Sequence, residues 1–334
     1  MPSTVLTPFT ARDGENLALY DWSVDGWSPE IAPPNPIGLL PRAVILIVHG
    51  LGEHAGRYAP IARRLLGWGF AVRAYDQRGH GESGGVRGVL PNETALLDDL
   101  AEVVDDTRQH FLRQQQGIGG PDASKAPLPL ILLGHSLGGL VVGRFVALKM
   151  RPVEGLVMSS PALDAGLSAA HKLLLAVLLR LAPDLAVSNG LDARDLSHDG
   201  QVVKNYLADR LVHHKISARL GKFIATAGPS TVAAAVHWST PTLLMYAGSD
   251  RLVNPAGSRA FAQNAVDSPA VKPGTVTAQC FDPLYHEIFN EIDAGPVFDL
   301  LKAWLDARFP FKSGSRADQS GVASYKNNSD PVAV

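Results

Sequence analysis

The chain has 334 residues, 46% of them hydrophobic, and a net charge of -2 that offers no basic field to a phosphate backbone, so nucleic acid is excluded as an expected partner. A chain of this length buries about three quarters of its unfolded surface, so core size limits nothing. The single cysteine, Cys280, excludes an internal disulfide and a thiolate-ligated metal site.

The first residues, MPSTVLTPFTARDG, lack the basic and then apolar pattern of a secretory signal, and a cytoplasmic location is the expectation. Val5 to Trp22 alternates around Asp13-Gly14, as an antiparallel hairpin does, and a Pro-rich loop follows from Trp27 to Pro41. Ala43 to Val48 and Phe70 to Tyr75 read as buried strands with a helix, Tyr58 to Leu66, between them. Further along, strands are expected at Leu128 to Leu133, Gly155 to Ser159, Thr242 to Tyr246 and Thr275 to Phe281. Helical patterns cover Ala95 to Gln114, Leu137 to Met150, Ser258 to Gln263 and Pro296 to Ala307. Such alternation predicts an α/β fold with a mostly parallel central sheet and helices on both faces.

The rhythm breaks between Ser160 and Thr242, where roughly eighty residues show helical patterns and no convincing strand. A helical cap at 164–237 is therefore expected, inserted into a core made of 1–163 and 238–311. The polar composition of 312–334 predicts a disordered tail. The longest greasy stretch, Leu167 to Leu181, makes a helix of roughly 22 Å, too short for about 30 Å of hydrocarbon. On a helical wheel Leu167, Ala170, Leu174, Val177, Leu178 and Leu181 form one face, expected to pack on the domain, and Leu175 and Leu179 fall opposite. That second face predicts that the helix over 166–183 guards a pocket entrance and makes transient contact with a membrane or lipid surface, with cover by the rest of the cap, or by another subunit, as the alternative.

The stretch PLPLILLGHSLGGLVVGRF, Pro127 to Phe145, carries the chemistry. A buried strand ends in Gly134-His135-Ser136-Leu137-Gly138 and a helix begins, so Ser136 falls on a strand-to-helix corner too tight for a Cβ at Gly134 or Gly138. This is a Gly-x-Ser-x-Gly nucleophile elbow; the plainer reading of such a serine is a helix N-cap. A serine hydroxyl needs a base, and the base an acid to hold its tautomer, in the chain order Ser, Asp or Glu, His. Six histidines follow Ser136: His171, His198, His213 and His214 fall in the expected cap, His237 precedes the strand at Thr242, and only His286 follows the last strand. Asp250, just past a buried strand, is the favoured acid and Asp164 the alternative, while Asp282 lies too near its strand to address His286. An oxyanion hole needs two backbone N–H groups, and Leu137 and Leu51, the latter in HGLGEHAGRY, are the candidates.

Two patterns are set aside. Gly79 to Gly84 matches G-x-G-x-x-G, but no helix opens at its glycines. His213-His214 lacks an HExxH frame and reads as a solvated pair.

The blocks HGLGEHAGRYAPIARRLLGWGFAVRAYDQRGHGES, GHSLGG, GSDRLVNPAGS and LYHEIFNE, in that order, resemble the monoacylglycerol lipase and lysophospholipase type of α/β-hydrolase over most of Ala43 to Phe309. The resemblance implies Ser136 as nucleophile, Asp250 as acid, His286 as base, Leu51 and Leu137 as oxyanion donors, and no cofactor or metal. It implies a small lipid ester as substrate, an acyl glycerol, cleaved through an acyl-enzyme. Lysophospholipids, general carboxylic esters and acyl thioesters remain open, as do acyl transfer and a low-turnover ligand-binding role on the same scaffold. Glu53 and Arg57 are candidates for binding the polar head of the substrate, or else a surface ion pair at a helix start. Leu174 and Leu178, in the leucine-rich cap, are candidates for the acyl chain.

Overall fold

The computed structural model describes residues 5–22, 41–119, 127–166 and 168–311. An eight-stranded sheet runs through it in the order β1-β2-β4-β3-β5-β6-β9-β10. The hairpin β1 (Val5–Thr10) and β2 (Asn16–Trp22) forms the antiparallel edge, turning through Gly14 at φ +90°. The strands β3 (Val44–Val48), β4 (Ala71–Tyr75), β5 (Leu130–His135), β6 (Gly155–Ser159), β9 (Thr242–Ala247) and β10 (Val276–Phe281) are mutually parallel.

Every residue of β3, β5, β6 and β9 is buried, which is why these strands read as unbroken apolar runs rather than as alternation. Their side chains divide by parity between two cores. Val44, Leu46, Leu130, Leu132 and Leu156 join one with α2 (Ala95–Gly119) and α3 (Leu137–Ala147), whereas Ile45, Ile47, Ile131, Leu133 and Val157 join the other with α1 (Ala59–Gly67) and α8 (Gly295–Arg308). The helix α7 (Pro255–Asp267), capped by the Asn254 side chain on Ala256 N–H, is longer than its sequence pattern suggested.

The interval between β6 and β9 departs from expectation in two ways. It holds α4 (Ala169–Leu181), α5 (Gly200–Ala208) and α6 (Ala218–Ala234), but also an antiparallel ribbon of β7 (Ala186–Ser188) with β8 (Lys215–Ser217). Strands of three residues are too short to carry an alternation, so the expectation of no strand is corrected. The two faces of α4 are also the reverse of those expected. Leu174, Val177 and Leu181 are 56%, 44% and 79% exposed. Leu175 instead reaches α6, where a Cβ on Gly221 would lie 3.3 Å from its Cδ1. Periodicity defines two faces of a helix and is silent on which one meets a neighbour. The helix α6 packs on α3 and α7, and its Leu220, Phe223 and Ala227 belong to the first core.

The Pro-rich loop up to residue 40, Gly120 to Ala126, Leu167 and the tail at 312–334 lie outside the described residues. Among the described residues no helix is long and apolar enough to cross a membrane.

Candidate active site

Because the central strands are parallel, their carboxyl ends share one edge, where loops from separate strands can converge. The β3–β5 register pairs Val48 with Gly134, so the loop after β3 lies beside the corner after β5. A Cβ on Gly50 would sit 3.2 Å from the Ser136 Cβ.

The corner itself is strained. Ser136 has φ +53° and ψ -119°, a region that L-residues rarely adopt. Its N–H donates to Ser159 O at 3.0 Å, and its carbonyl accepts from Leu140 N–H and Ala162 N–H, each at 3.0 Å. Close packing makes the two glycines obligatory: a Cβ on Gly134 would lie 2.4 Å from Gly138 O, and one on Gly138 2.0 Å from Val48 O. Leu137 heads α3, so its N–H is among those with no intrahelical acceptor.

Asp250 follows β9 and His286 follows β10. The Asp250 Oδ1 accepts from Leu252 N–H and Val253 N–H, both at 2.9 Å, and Oδ2 lies 2.7 Å from His286 Nδ1. Both side chains are buried. Burial works to raise the Asp250 pKa, yet the His286 ring and the backbone donors outweigh it and hold the carboxyl below its ordinary value. Since an ionised carboxylate only accepts, the Nδ1 proton belongs to His286, which leaves Nε2 as the ring's basic nitrogen. Burial disfavours the imidazolium, but the Asp250 charge and hydrogen bond prevail and the His286 pKa is raised. The His135 ring packs 4.7 Å from that of His286, with Nδ1 3.1 Å from Ser159 Oγ. Burial, reinforced by the His286 charge, pushes the His135 pKa down to about 4, so it is a neutral neighbour.

Ser136, Leu137, His286, Gly50 and Leu51 line one cavity of about 180 Å³, to which the interval contributes Leu191, Leu196, Tyr206, Ile216 and Ile224. Leu174 and Leu178 are not among its lining residues, and the α4 face that carries Leu174 is exposed. Asp164, the alternative acid, is engaged elsewhere, accepting from Gly166 N–H and from Asn254 Nδ2. Asp282 accepts from Cys280 Sγ.

Glu53 and Arg57 border the cavity, but not as a surface pair. The Glu53 carboxylate accepts from Gly50 N–H at 2.6 Å, from Tyr58 O–H at 2.7 Å and from Arg57. Burial alone drives its pKa up; Arg57 and Tyr58 reverse this and hold it at about 2. Arg57 also forks onto Glu287 with two contacts of 2.8 Å and stacks over the Tyr206 ring at 4.8 Å. Glu287 and Tyr206 carried no sequence signal of their own, since their partner lies far away along the chain. His213 is likewise corrected: its ring is half-buried against His80 at 4.6 Å rather than solvated, and burial lowers its pKa to about 4. No group of side chains among the described residues is arranged to hold a metal ion.

Residues 40–293 match the Hydrolase_4 family, described as serine aminopeptidase, S33. The chain is 36% identical to a monoacylglycerol lipase of Mycolicibacterium smegmatis over 284 residues, which is 84% of this chain and 91% of the relative. It is 30% identical to a monoglyceride lipase of Homo sapiens over 274 residues, 80% of this chain and 84% of that protein. Among solved structures, that of Paleococcus ferrophilus monoacylglycerol lipase aligns with a TM-score of 0.68 at 32% identity, covering 81% of this chain and 96% of the other.

Proposed function

The chain belongs to the Hydrolase_4 family of monoacylglycerol lipase-like serine hydrolases with the α/β-hydrolase fold, and on that footing we propose that it cleaves carboxylic esters of acyl glycerols through an acyl-enzyme on Ser136. The observation that carries the proposal is the buried 2.7 Å contact between His286 and Asp250, with His286 and the strained Ser136 corner lining one largely apolar cavity.

In this reading Ser136 Oγ attacks the ester carbonyl carbon while its proton passes to His286 Nε2. Asp250 stabilises the resulting imidazolium and keeps the tautomer. Negative charge on the carbonyl oxygen is met by the Leu51 and Leu137 N–H groups, each such donor contributing on the order of a hundredfold or more in rate. The tetrahedral adduct expels the alkoxide, which takes the proton from His286 and leaves as the alcohol. Water then repeats the sequence, with His286 as base, and releases the fatty acid and the free serine. Glu53 serves as a positioning residue rather than a substrate ligand, because its oxygens already hold Gly50, Tyr58 and Arg57.

The segment 164–237 acts in this reading as a cap over a core of 1–163 and 238–311, rooted through α6. The exposed Leu173, Leu174, Val177 and Leu181 of α4 meet the lipid aggregate from which substrate is drawn. The test is turnover of one acyl length presented as monoacylglycerol, lysophospholipid, triacylglycerol and thioester. Monoacylglycerol is expected to have the highest kcat/KM; preference for the thioester or lysophospholipid, or no turnover, refutes the proposal.

A further inference from the structure

The loop that carries His286 is held from outside the Ser136, Asp250 and His286 set. After β10 ends at Phe281 the chain turns, Leu284 N–H donating to Phe281 O, and runs without helix or strand to a single 3-10 turn at Ile288–Asn290. In such a stretch the place of His286 is set by what its neighbours bind. Tyr285 N–H donates to Glu291 Oε1 at 2.6 Å, and Glu287 N–H donates to Leu196 O at 2.8 Å, in the interval between β6 and β9. Glu291 reaches the same interval: its Oε2 accepts from His198 N–H at 3.1 Å, and its Oε1 lies 2.9 Å from His198 Nδ1. The Tyr285 ring is clasped as well, stacked on the His198 ring at 3.7 Å with the Arg251 guanidinium over it at 4.8 Å.

The Glu291 carboxylate is withdrawn from solvent, and a carboxylate so placed is costly unless its oxygens are bonded, which the Tyr285 and His198 contacts achieve. It does not line the cavity, and the charges that act most strongly on the His286 ring are those of Asp250, Glu287 and Glu53. What Glu291 supplies is therefore reach rather than charge: it pins the peptide N–H of the residue just before His286. We infer that Glu291 is a positioning residue, which holds the Tyr285 backbone and through it the His286 ring in line for proton transfer from Ser136. The inference rests on the hydrolase reading above and adds to it a residue that touches no substrate.

Two conservative variants separate reach from charge. Glu291→Asp keeps the charge but falls one methylene short of Tyr285 N–H, whereas Glu291→Gln keeps the length and a carbonyl oxygen for it. Both disturb the contact with His198 and are expected to lower the melting temperature. On a short soluble ester, Glu291→Asp is expected to lower kcat on the order of a hundredfold with little change in KM, the cost of moving a reacting group by about 1 Å, and Glu291→Gln to keep kcat within about threefold. Wild-type kcat in Glu291→Asp, or a larger loss in Glu291→Gln than in Glu291→Asp, overturns the inference. The far-downfield proton resonance of the His286 Nδ1–H bond to Asp250 is followed in the same proteins. It is expected to shift or broaden in Glu291→Asp and to stay in place in Glu291→Gln, and an unmoved resonance in Glu291→Asp also overturns the inference. That resonance is read without turnover, so a protein that shows this pattern yet hydrolyses no ester refutes the proposed function and not the Glu291 tether.

Discussion

His286 and Asp250 face each other across 2.7 Å with both side chains withdrawn from solvent, while Asp164 gives its two oxygens to Gly166 and Asn254. Asparagine at 250 can present an amide to Nδ1 and stabilise the wrong tautomer. Asp250→Asn is therefore expected to lower kcat roughly 10⁴-fold. Asp164→Asn should change kcat less than tenfold and act mainly on the melting temperature. Steady-state kinetics of both variants on p-nitrophenyl decanoate decide the matter, and a reversed order moves the acid to Asp164.

The pH profile follows from the same pair. As the proposed base, His286 must be neutral to accept the serine proton, and its pKa is raised above 6.5 because Asp250 outweighs burial. In the wild type, kcat/KM should rise with pH along a limb centred above 6.5. Residual activity of Asp250→Asn should rise along a limb shifted to lower pH, since the largest charge opposing burial is then gone and only the Glu287 and Glu53 charges still oppose it. The contribution to stability has the opposite sense: a raised pKa stabilises the fold below the unfolded value and is lost as pH climbs through the folded one. A wild-type limb centred below 6.5 contradicts the assigned geometry.

Glu53→Gln tests the buried network. Glutamine cannot carry the charge that Arg57 faces, nor accept at once from Gly50, Tyr58 and Arg57. Arg57 keeps Glu287 as its counter-ion, so the loss is that of the charge-assisted bonds to Glu53, about 1.5–3 kcal/mol, to be read from urea midpoints at neutral pH. With a folded pKa depressed from 4.5 to about 2, the stabilisation by Glu53 is complete above 4.5 and fades as pH falls towards 2, so the gap between the two proteins should narrow in acid. A variant as stable as the wild type at neutral pH would show the carboxylate to be dispensable.

Replacing Leu173, Leu174 and Leu181 by serine alters a face already 68%, 56% and 79% exposed. The melting temperature should hold, while vesicle binding and the rate on dispersed long-chain monoacylglycerol fall several-fold and the rate on a short soluble ester stays level. Leu175→Ser should instead lower the melting temperature, because that side chain packs on α6. Equal loss on both substrates for the triple variant would mean that the face does not serve lipid contact.

What was legible in the sequence is what is local. The corner at Ser136 announces itself through Gly134 and Gly138, since no side chain fits there, and the apolar runs of β3, β5 and β9 declare two-sided burial. His286 could be singled out by chain order alone. Pairings across the fold left no such trace: Arg57 with Glu287 and Tyr206, His213 with His80, and the choice of which α4 face meets α6. Each depends on where a distant element lands, which periodicity does not encode. The ribbon β7–β8, which carries Asn189 to the cavity, is too short to print a pattern.

A covalent intermediate on Ser136 is read directly by rapid-quench mass spectrometry after mixing the protein with monodecanoylglycerol. A transient decanoyl adduct is expected on the peptide containing Ser136, appearing together with the first equivalent of glycerol and absent from Ser136→Ala. A pre-steady-state burst of glycerol with no acyl adduct, or an adduct on another residue, rules out Ser136 as the nucleophile.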